Sequence, residues 1–318
     1  MATRPADLPS AAAVGPNLRR PVLLALLLMG VAATGAAPIF VRASEVGPSA
    51  TGFWRLALAM PVFLCWQMWA RPAGGRGGIP ARAIRWPLVL AGIAYGLDLA
   101  LWNASIHLTT AANATLLANL APVFVVLIGW LAWRDRPDGR LLTALGLALG
   151  GALLLVGEGF ALGPDRLQGD LLATATAFFY ALYLLGMHRA RRDADAASAM
   201  LWSGRVTMAV LLAAAVVQGE RILPSSLQAW WPLLGIALVC HVGGQATIAL
   251  AMAGLPAAYA SVVLLFQPVS GAVLGWLVLG ETLSSMQVAG GAVVLSGILL
   301  LARSGRPAGT ASKTGKTC

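Results

Sequence analysis

Residues 110–135 read TAANATLLANLAPVFVVLIGWLAWRD, and residues 256–281 read PAAYASVVLLFQPVSGAVLGWLVLGE. At an offset of 146, Ala111, Ala112, Ala114, Pro122, Val123, Gly129, Trp130 and Leu131 fall on Ala257, Ala258, Ala260, Pro268, Val269, Gly275, Trp276 and Leu277. Asp135 falls on a second acid, Glu281. The same offset pairs Gly151 with Gly297, and an offset of 150 superposes Arg55 on Arg205. A drift of that size is what differing loop lengths produce. The paired proline, tryptophan and acid at fixed spacing mark two copies of one unit.

The unit is built of membrane spans. The chain has 318 residues, of which 58% are hydrophobic and only 11% charged, against roughly a quarter charged in soluble domains. The apolar residues come in long blocks with neither a two-residue nor a 3.6-residue alternation, and mean hydropathy is +0.78. A soluble enzyme, a disordered chain and a secreted disulfide scaffold are thereby excluded. Blocks of roughly 20 residues are long enough to cross a bilayer. Ten occur: 21–41, 49–69, 86–106, 110–132, 141–157, 170–187, 198–218, 231–250, 256–279 and 287–303. Backbone groups in lipid must be satisfied within the segment, so each is expected to be an α-helix. The expected fold is an all-α polytopic membrane protein of ten helices. Its parts are a disordered N-terminus (1–18), a first five-helix repeat (19–160), a second (165–303) and a disordered tail (304–318).

The net charge of +10 does not signal nucleic acid, because 20 of the 22 basic residues are Arg clustered between apolar blocks. With the N-terminus inside, 17 Lys and Arg fall in inner segments and three, Arg42, Arg166 and Arg221, in outer loops. Such asymmetry fixes orientation. Both termini are expected in the cytoplasm, in a bacterial inner membrane. Trp69, Trp86, Trp133, Trp230 and Trp231 stand at span ends, where an indole prefers the interface. Five spans per copy is odd, so the copies enter the membrane from opposite sides. Inverted repeats of this kind are typical of secondary transporters that rock around a midplane site.

The run Thr110-Ala111-Ala112 through Ala121-Pro122-Val123-Phe124 to Gly129-Trp130-Leu131 has a partner. It is Pro256-Ala257-Ala258 through Gln267-Pro268 to Gly280-Glu281-Thr282. Together they resemble the paired EamA units of the drug/metabolite transporter superfamily, over nearly all of residues 21–303. Within it the chain resembles the broad-range amino-acid exporters of the YddG type. The resemblance implies ten spans, both termini inside and export of metabolites such as amino acids. It makes Arg55, in Phe53-Trp54-Arg55, the basic residue that follows an aromatic in the second span. Copy one departs from the pattern with Arg134-Asp135-Arg136 where Gly-Glu is usual. Copy two departs at Trp202-Ser203-Gly204-Arg205, which lacks the adjacent aromatic.

Ionisable side chains deep in lipid face a cavity or a partner. Asp98 lies midway along the third span, on one helical face with Tyr95 and Trp102. His241, at the position equivalent to Tyr95, begins a matching stripe with Gly244, Gln245 and Ile248. The sixth span offers Thr176, Tyr180, Tyr183 and Met187. The fourth and ninth add Thr115, Asn119, Tyr259, Phe266 and Gln267 around Pro122 and Pro268. The expected site is a midplane cavity with aromatic walls from Trp102, Tyr180 and Tyr183. Asp98, Asn119, His241 and Gln245 would meet the polar ends of an amino acid, with Asp98 on its ammonium. Pro122 and Pro268 free the carbonyls of Ala118 and Leu264 and are candidate hinges. Each residue also has a packing role open to it: aromatics between helices, Asn119 and Gln245 as interhelical hydrogen bonds, Asp98 paired with an Arg. Arg55 and Arg205 lie roughly 10 Å deep, within snorkelling reach of an interface, and are expected to be structural.

No catalytic residue, metal ligand set or cofactor motif is expected. None of the three His stands in HExxH and no Ser in GxSxG. The tail Gly309 to Thr317 has five residues between its glycines where a phosphate loop needs four. Cys65, Cys240 and Cys318 form no disulfide framework. The expected partners are the bilayer and a small-molecule substrate, with the protein a monomer or homodimer. A lipid, multidrug or nucleotide-sugar carrier of the same superfamily, or a multispan membrane enzyme, is the alternative to amino-acid export. A phosphate-bearing substrate would call for a strongly basic midplane. An enzyme would call for clustered carboxylates or His at one interface, and the largest outer loop offers only Glu158, Asp165 and Arg166.

Overall fold

The computed structural model describes residues 20–69, 82–109, 111–157, 163–192, 194–280 and 282–303. Both expected disordered termini, Arg71, Arg76, Thr110, Glu158 and Glu281 lie outside them. Among the described residues all regular structure is helical, with no strand. The first copy comprises α1 (Arg20–Thr34), α2 (Ala37–Ala43), α3 (Pro48–Trp69), α4 (Arg82–Leu108), α5 (Ala111–Ala118), α6 (Ala121–Trp133) and α7 (Gly139–Val156). The second comprises α8 (Leu167–Ala190), α9 (Ala196–Val217), α10 (Trp231–Gly235), a π segment (Ile236–Gln245), α11 (Ala246–Ala251), α12 (Ala257–Leu264), α13 (Phe266–Leu279) and α14 (Ser285–Ala302). Nine helical stretches among the described residues are long and apolar enough to cross a membrane. The tenth span is α3, whose 22 residues have the length, while Arg55, Gln67, Pro48 and Pro61 lower its hydropathy.

Among the described residues four spans depart from plain α-helix. The fourth breaks between α5 and α6, and the ninth between α12 and α13. Pro122 and Pro268 cannot donate to the preceding turn, and Val123 N–H instead bonds Leu120 O at 2.9 Å. The first span, read from sequence as one helix over 21–41, also breaks, at Gly35-Ala36 before Pro38. The eighth carries the π segment, which the sequence pattern did not indicate. There Gly244 lies so close to α1 that a Cβ on it would stand 3.0 Å from Gly30 O. Such π turns recur at functional sites.

The packing obeys the twofold relation between the copies. α1 packs on the π segment and α11, as α8 packs on α4. α5 and α6 contact α8, as α12 and α13 contact α1. Two pairs, α3 with α9 and α7 with α14, bring equivalent helices together, and α6 with α12 joins the fourth span to its equivalent, the ninth. Even the caps correspond. The Asp138 side chain accepts from Leu141 N–H at the start of α7, and Ser284, 146 residues on, accepts from Gln287 N–H at the start of α14.

Closure is one-sided. In the half nearest the chain termini, Leu23, Leu27, Phe63, Leu88, Leu184, Met187 and Met252 form one continuous buried core. Tyr259 seals its edge, donating to Asp138 Oδ2 at 3.3 Å beneath the Arg20 guanidinium. The other half of the molecule contains the cavity.

Candidate functional site

The cavity has a volume of about 440 Å³. Its floor is Tyr95, stacked on Tyr183 with ring centroids 4.4 Å apart. Gln245, at the end of the π segment, donates from Nε2 to Tyr95 Oη at 3.0 Å. Asp98 and Trp102 follow one and two turns further along α4, so helical spacing places all three on one wall. The Asp98 backbone carbonyl accepts from Thr176 Oγ1 at 3.4 Å, tying α4 to α8. Its carboxylate has no hydrogen-bond partner among the described residues.

Broken helices supply the opposite walls. Thr34, Gly35, Ala37 and Pro38 of the α1–α2 break line the cavity, as do Ala118 and Asn119 of the α5–α6 break and Gln267 and Pro268 at the start of α13. Irregular backbone at membrane depth is tolerated where it borders a cavity. Asn119 turns its amide back on Thr115 O at 2.9 Å, and Gln267 Nε2 reaches Thr34 O at 3.5 Å. Arg42, Val156 and Gln287, at the ends of α2, α7 and near the start of α14, form the mouth. All three lie at the face opposite the chain termini.

Of the residues singled out from sequence, Tyr95, Asp98, Trp102, Thr115, Asn119, Tyr180, Gln245, Gln267 and Pro268 line this one cavity. Tyr183 and His241 do not. They flank Tyr95 from behind, His241 with its ring 6.4 Å from that of Tyr95 and 5.7 Å from that of Phe63. Both His241 ring nitrogens are buried without a hydrogen-bond partner. Tyr259 belongs to the terminal-side seal, Phe266 packs on the core and Pro122 sits in the first turn of α6.

The two intramembrane arginines part company. Arg205 is exposed, its guanidinium 5.4 Å from the Trp202 ring. Arg55, expected to reach an interface, instead lines the cavity at 7% exposure with its guanidinium 6.0 Å from the Tyr95 ring centroid. Sequence depth alone could not show which way α3 turns this side chain. The α1–α2 break was also missed, although Gly35-Ala36-Ala37-Pro38 carries the glycine and proline that could have revealed it. Among the described residues no group of His, Cys, Asp and Glu could hold a metal ion.

Comparison with known proteins places this geometry. An uncharacterized transporter of Archaeoglobus fulgidus is 24% identical over 290 residues, covering 89% of this chain and 97% of its own. The pseudopaline exporter CntI of Pseudomonas aeruginosa is 23% identical over 288 residues, covering 90% and 97%. A crystal structure superposes with a TM-score of 0.74 at 16% identity, covering 89% of this chain and 96% of that one. The EamA-like transporter family matches twice, over residues 20–157 and 167–303. The chain is a multi-pass membrane protein and belongs to the EamA-like transporter family.

Proposed function

We propose that the protein is a secondary-active or facilitative carrier that exports amino acids or related small metabolites by alternating access. The observation that carries this reading is a cavity whose lining, among the described residues, reaches helix ends at one face and pairs an aromatic wall with a carboxylate, Asp98, that has no hydrogen-bond partner there. Trp102, Tyr180 and Leu99 suit side chains of varied shape, and Asp98 suits an ammonium group. The inverted repeat supplies the second state, since exchanging the conformations of the two copies opens the opposite face. The twofold pattern of helix contacts supports that exchange. The name of the Pseudomonas relative, an exporter, supports the direction. The Arg and Lys asymmetry supports cytoplasmic termini in a bacterial inner membrane. Such a carrier binds and releases without bond chemistry.

Counterflow of labelled amino acids into liposomes tests the proposal, with wild type beside Asp98→Asn and Trp102→Ala. Saturable uptake driven by substrate on the far side, lost in either variant, is expected. If no amino acid among a broad set exchanges while the protein stays folded, amino acids are not its substrates.

A further inference from the structure

Arg55 presents a problem that packing does not solve. A guanidinium in the membrane must be compensated, and a buried charge left without a partner is strongly destabilising. Arg55 is 7% exposed, and its Nε is buried with no hydrogen-bond partner. No ion pair holds it among the described residues. The Tyr95 ring face at 6.0 Å gives only a weak cation–π contact.

An architectural role is argued against by the repeat. Arg205 occupies the equivalent position on α9, and α3 packs against α9 as twofold partners. An anchor required by the fold would be used alike in both copies. Arg205 instead lies exposed over Trp202, while Arg55 turns into the cavity. The copies share the residue and differ in what it faces.

Below Arg42 at its mouth, the cavity therefore holds a guanidinium from α3, Arg55, and a carboxylate from α4, Asp98, and among the described residues the two form no ion pair. His241 lies behind Tyr95 and outside the lining. A planar guanidinium matches a carboxylate in a two-pronged hydrogen bond. We infer that Arg55 is the specificity-determining contact for a substrate carboxylate, so that the cavity selects molecules carrying both a free carboxylate and an ammonium group. This rests on the carrier reading above and deepens it. The substrate carboxylate takes Arg55, its ammonium takes Asp98, and its side chain lies along Trp102 and Tyr180. A neutral zwitterion bound by one cation and one anion leaves the charge of the loaded site equal to that of the empty one.

The test compares three probes in the liposome counterflow assay: phenylalanine, phenylalanine amide and phenethylamine, the last two lacking the carboxylate. Wild type is expected to exchange phenylalanine at least roughly tenfold better than either analogue, the factor a charge-assisted hydrogen bond typically supplies. Arg55→Gln is expected to abolish that preference, and Arg55→Lys to restore part of it. Thermal protection of the detergent-solubilised protein by each probe gives a readout independent of transport. Wild-type protein should be protected by phenylalanine alone and Arg55→Gln by none selectively. If Arg55→Gln retains the preference for acid over amide, the assignment is overturned and the carrier reading stands. If wild type exchanges no amino acid, the assignment falls together with amino acids as the substrate class. Should Arg55→Gln not fold, equal protection of wild type by phenylalanine and its amide overturns the assignment on its own.

Discussion

Gly151 on α7 and Gly290 on α14 meet backbone to backbone. A Cβ on Gly151 would stand 2.6 Å from Gly290 O, and one on Gly290 would stand 2.7 Å from Gly151 O. Gly297, the repeat partner of Gly151, makes the next such contact, 2.8 Å from Ala144 O. The obstructing atoms are backbone and cannot swing aside. Gly151→Ala is thus expected to destabilise the protein by about 1–3 kcal/mol through overpacking, outweighing the helix-propensity gain of about 1 kcal/mol. Gly146→Ala, five residues away on the same helix, would meet nothing within 4 Å and should be neutral or stabilising. Thermal unfolding in detergent checks both. Equal effects from the two would mean that α7 and α14 do not pack this closely.

Arg191 sits in the loop after α8 and is among the largest fully buried side chains. Its Nε donates to Ala249 O at 3.0 Å and its Nη1 to Ala194 O, so it joins the end of α8 to α11 and to the approach to α9. Burial lowers its pKa and the neighbouring Asp195 opposes that shift. Arg191→Ala leaves two buried carbonyls without a donor and is expected to cost roughly 2–4 kcal/mol. Arg189→Ala, which makes no such bond, serves as the control. A similar melting temperature for both variants would overturn the assigned role.

Much of this architecture is legible in sequence, and the parts that are not share a cause. Apolar block length announces the spans, because lipid leaves the backbone no alternative to helix. Pro122 and Pro268 announce their helix breaks, because a missing N–H is a local fact. The π segment is not legible, because it arises where Gly30 and Gly244 bring two helices into backbone contact, across more than 200 residues of chain. Arg55 could be placed in depth but not in rotation. A helical stripe gives the face that Tyr95, Asp98 and Trp102 share, and says nothing of what stands in front. Tyr183 and His241 carry the same polar and aromatic signature as lining residues, yet Tyr95 lies between them and the cavity.

That screening role makes Tyr95 the residue on which the floor depends. Tyr95→Phe keeps the stack on Tyr183 and loses only the bond from Gln245, an expected cost of about 1 kcal/mol. Tyr95→Ala removes the ring and should cost about 3–5 kcal/mol, while opening a path from the cavity to His241. Calorimetry or thermal unfolding separates the two. A Tyr95→Phe variant as unstable as Tyr95→Ala would show that the hydrogen bond, and not the stack, holds the floor.

The one-sided cavity makes a claim about access that chemistry can read. Val156 and Leu99 line the cavity, whereas Met187 is fully buried in the core near the termini. With Cys65, Cys240 and Cys318 replaced, Val156→Cys and Leu99→Cys should react with a membrane-impermeant thiol reagent applied to the face opposite the termini. Met187→Cys should react roughly tenfold more slowly or less from either face, since a minor state holds a tenth of the molecules or fewer. Alternating access adds a second expectation. Saturating substrate lets the protein cycle, so labelling at Val156→Cys should fall while labelling at Met187→Cys from the terminal face rises. Reaction at Met187→Cys without substrate, as fast as at Val156→Cys, would mean that the terminal side is not sealed. Unchanged labelling at both positions with a transported substrate present would count against a rocking carrier and favour a fixed binding site.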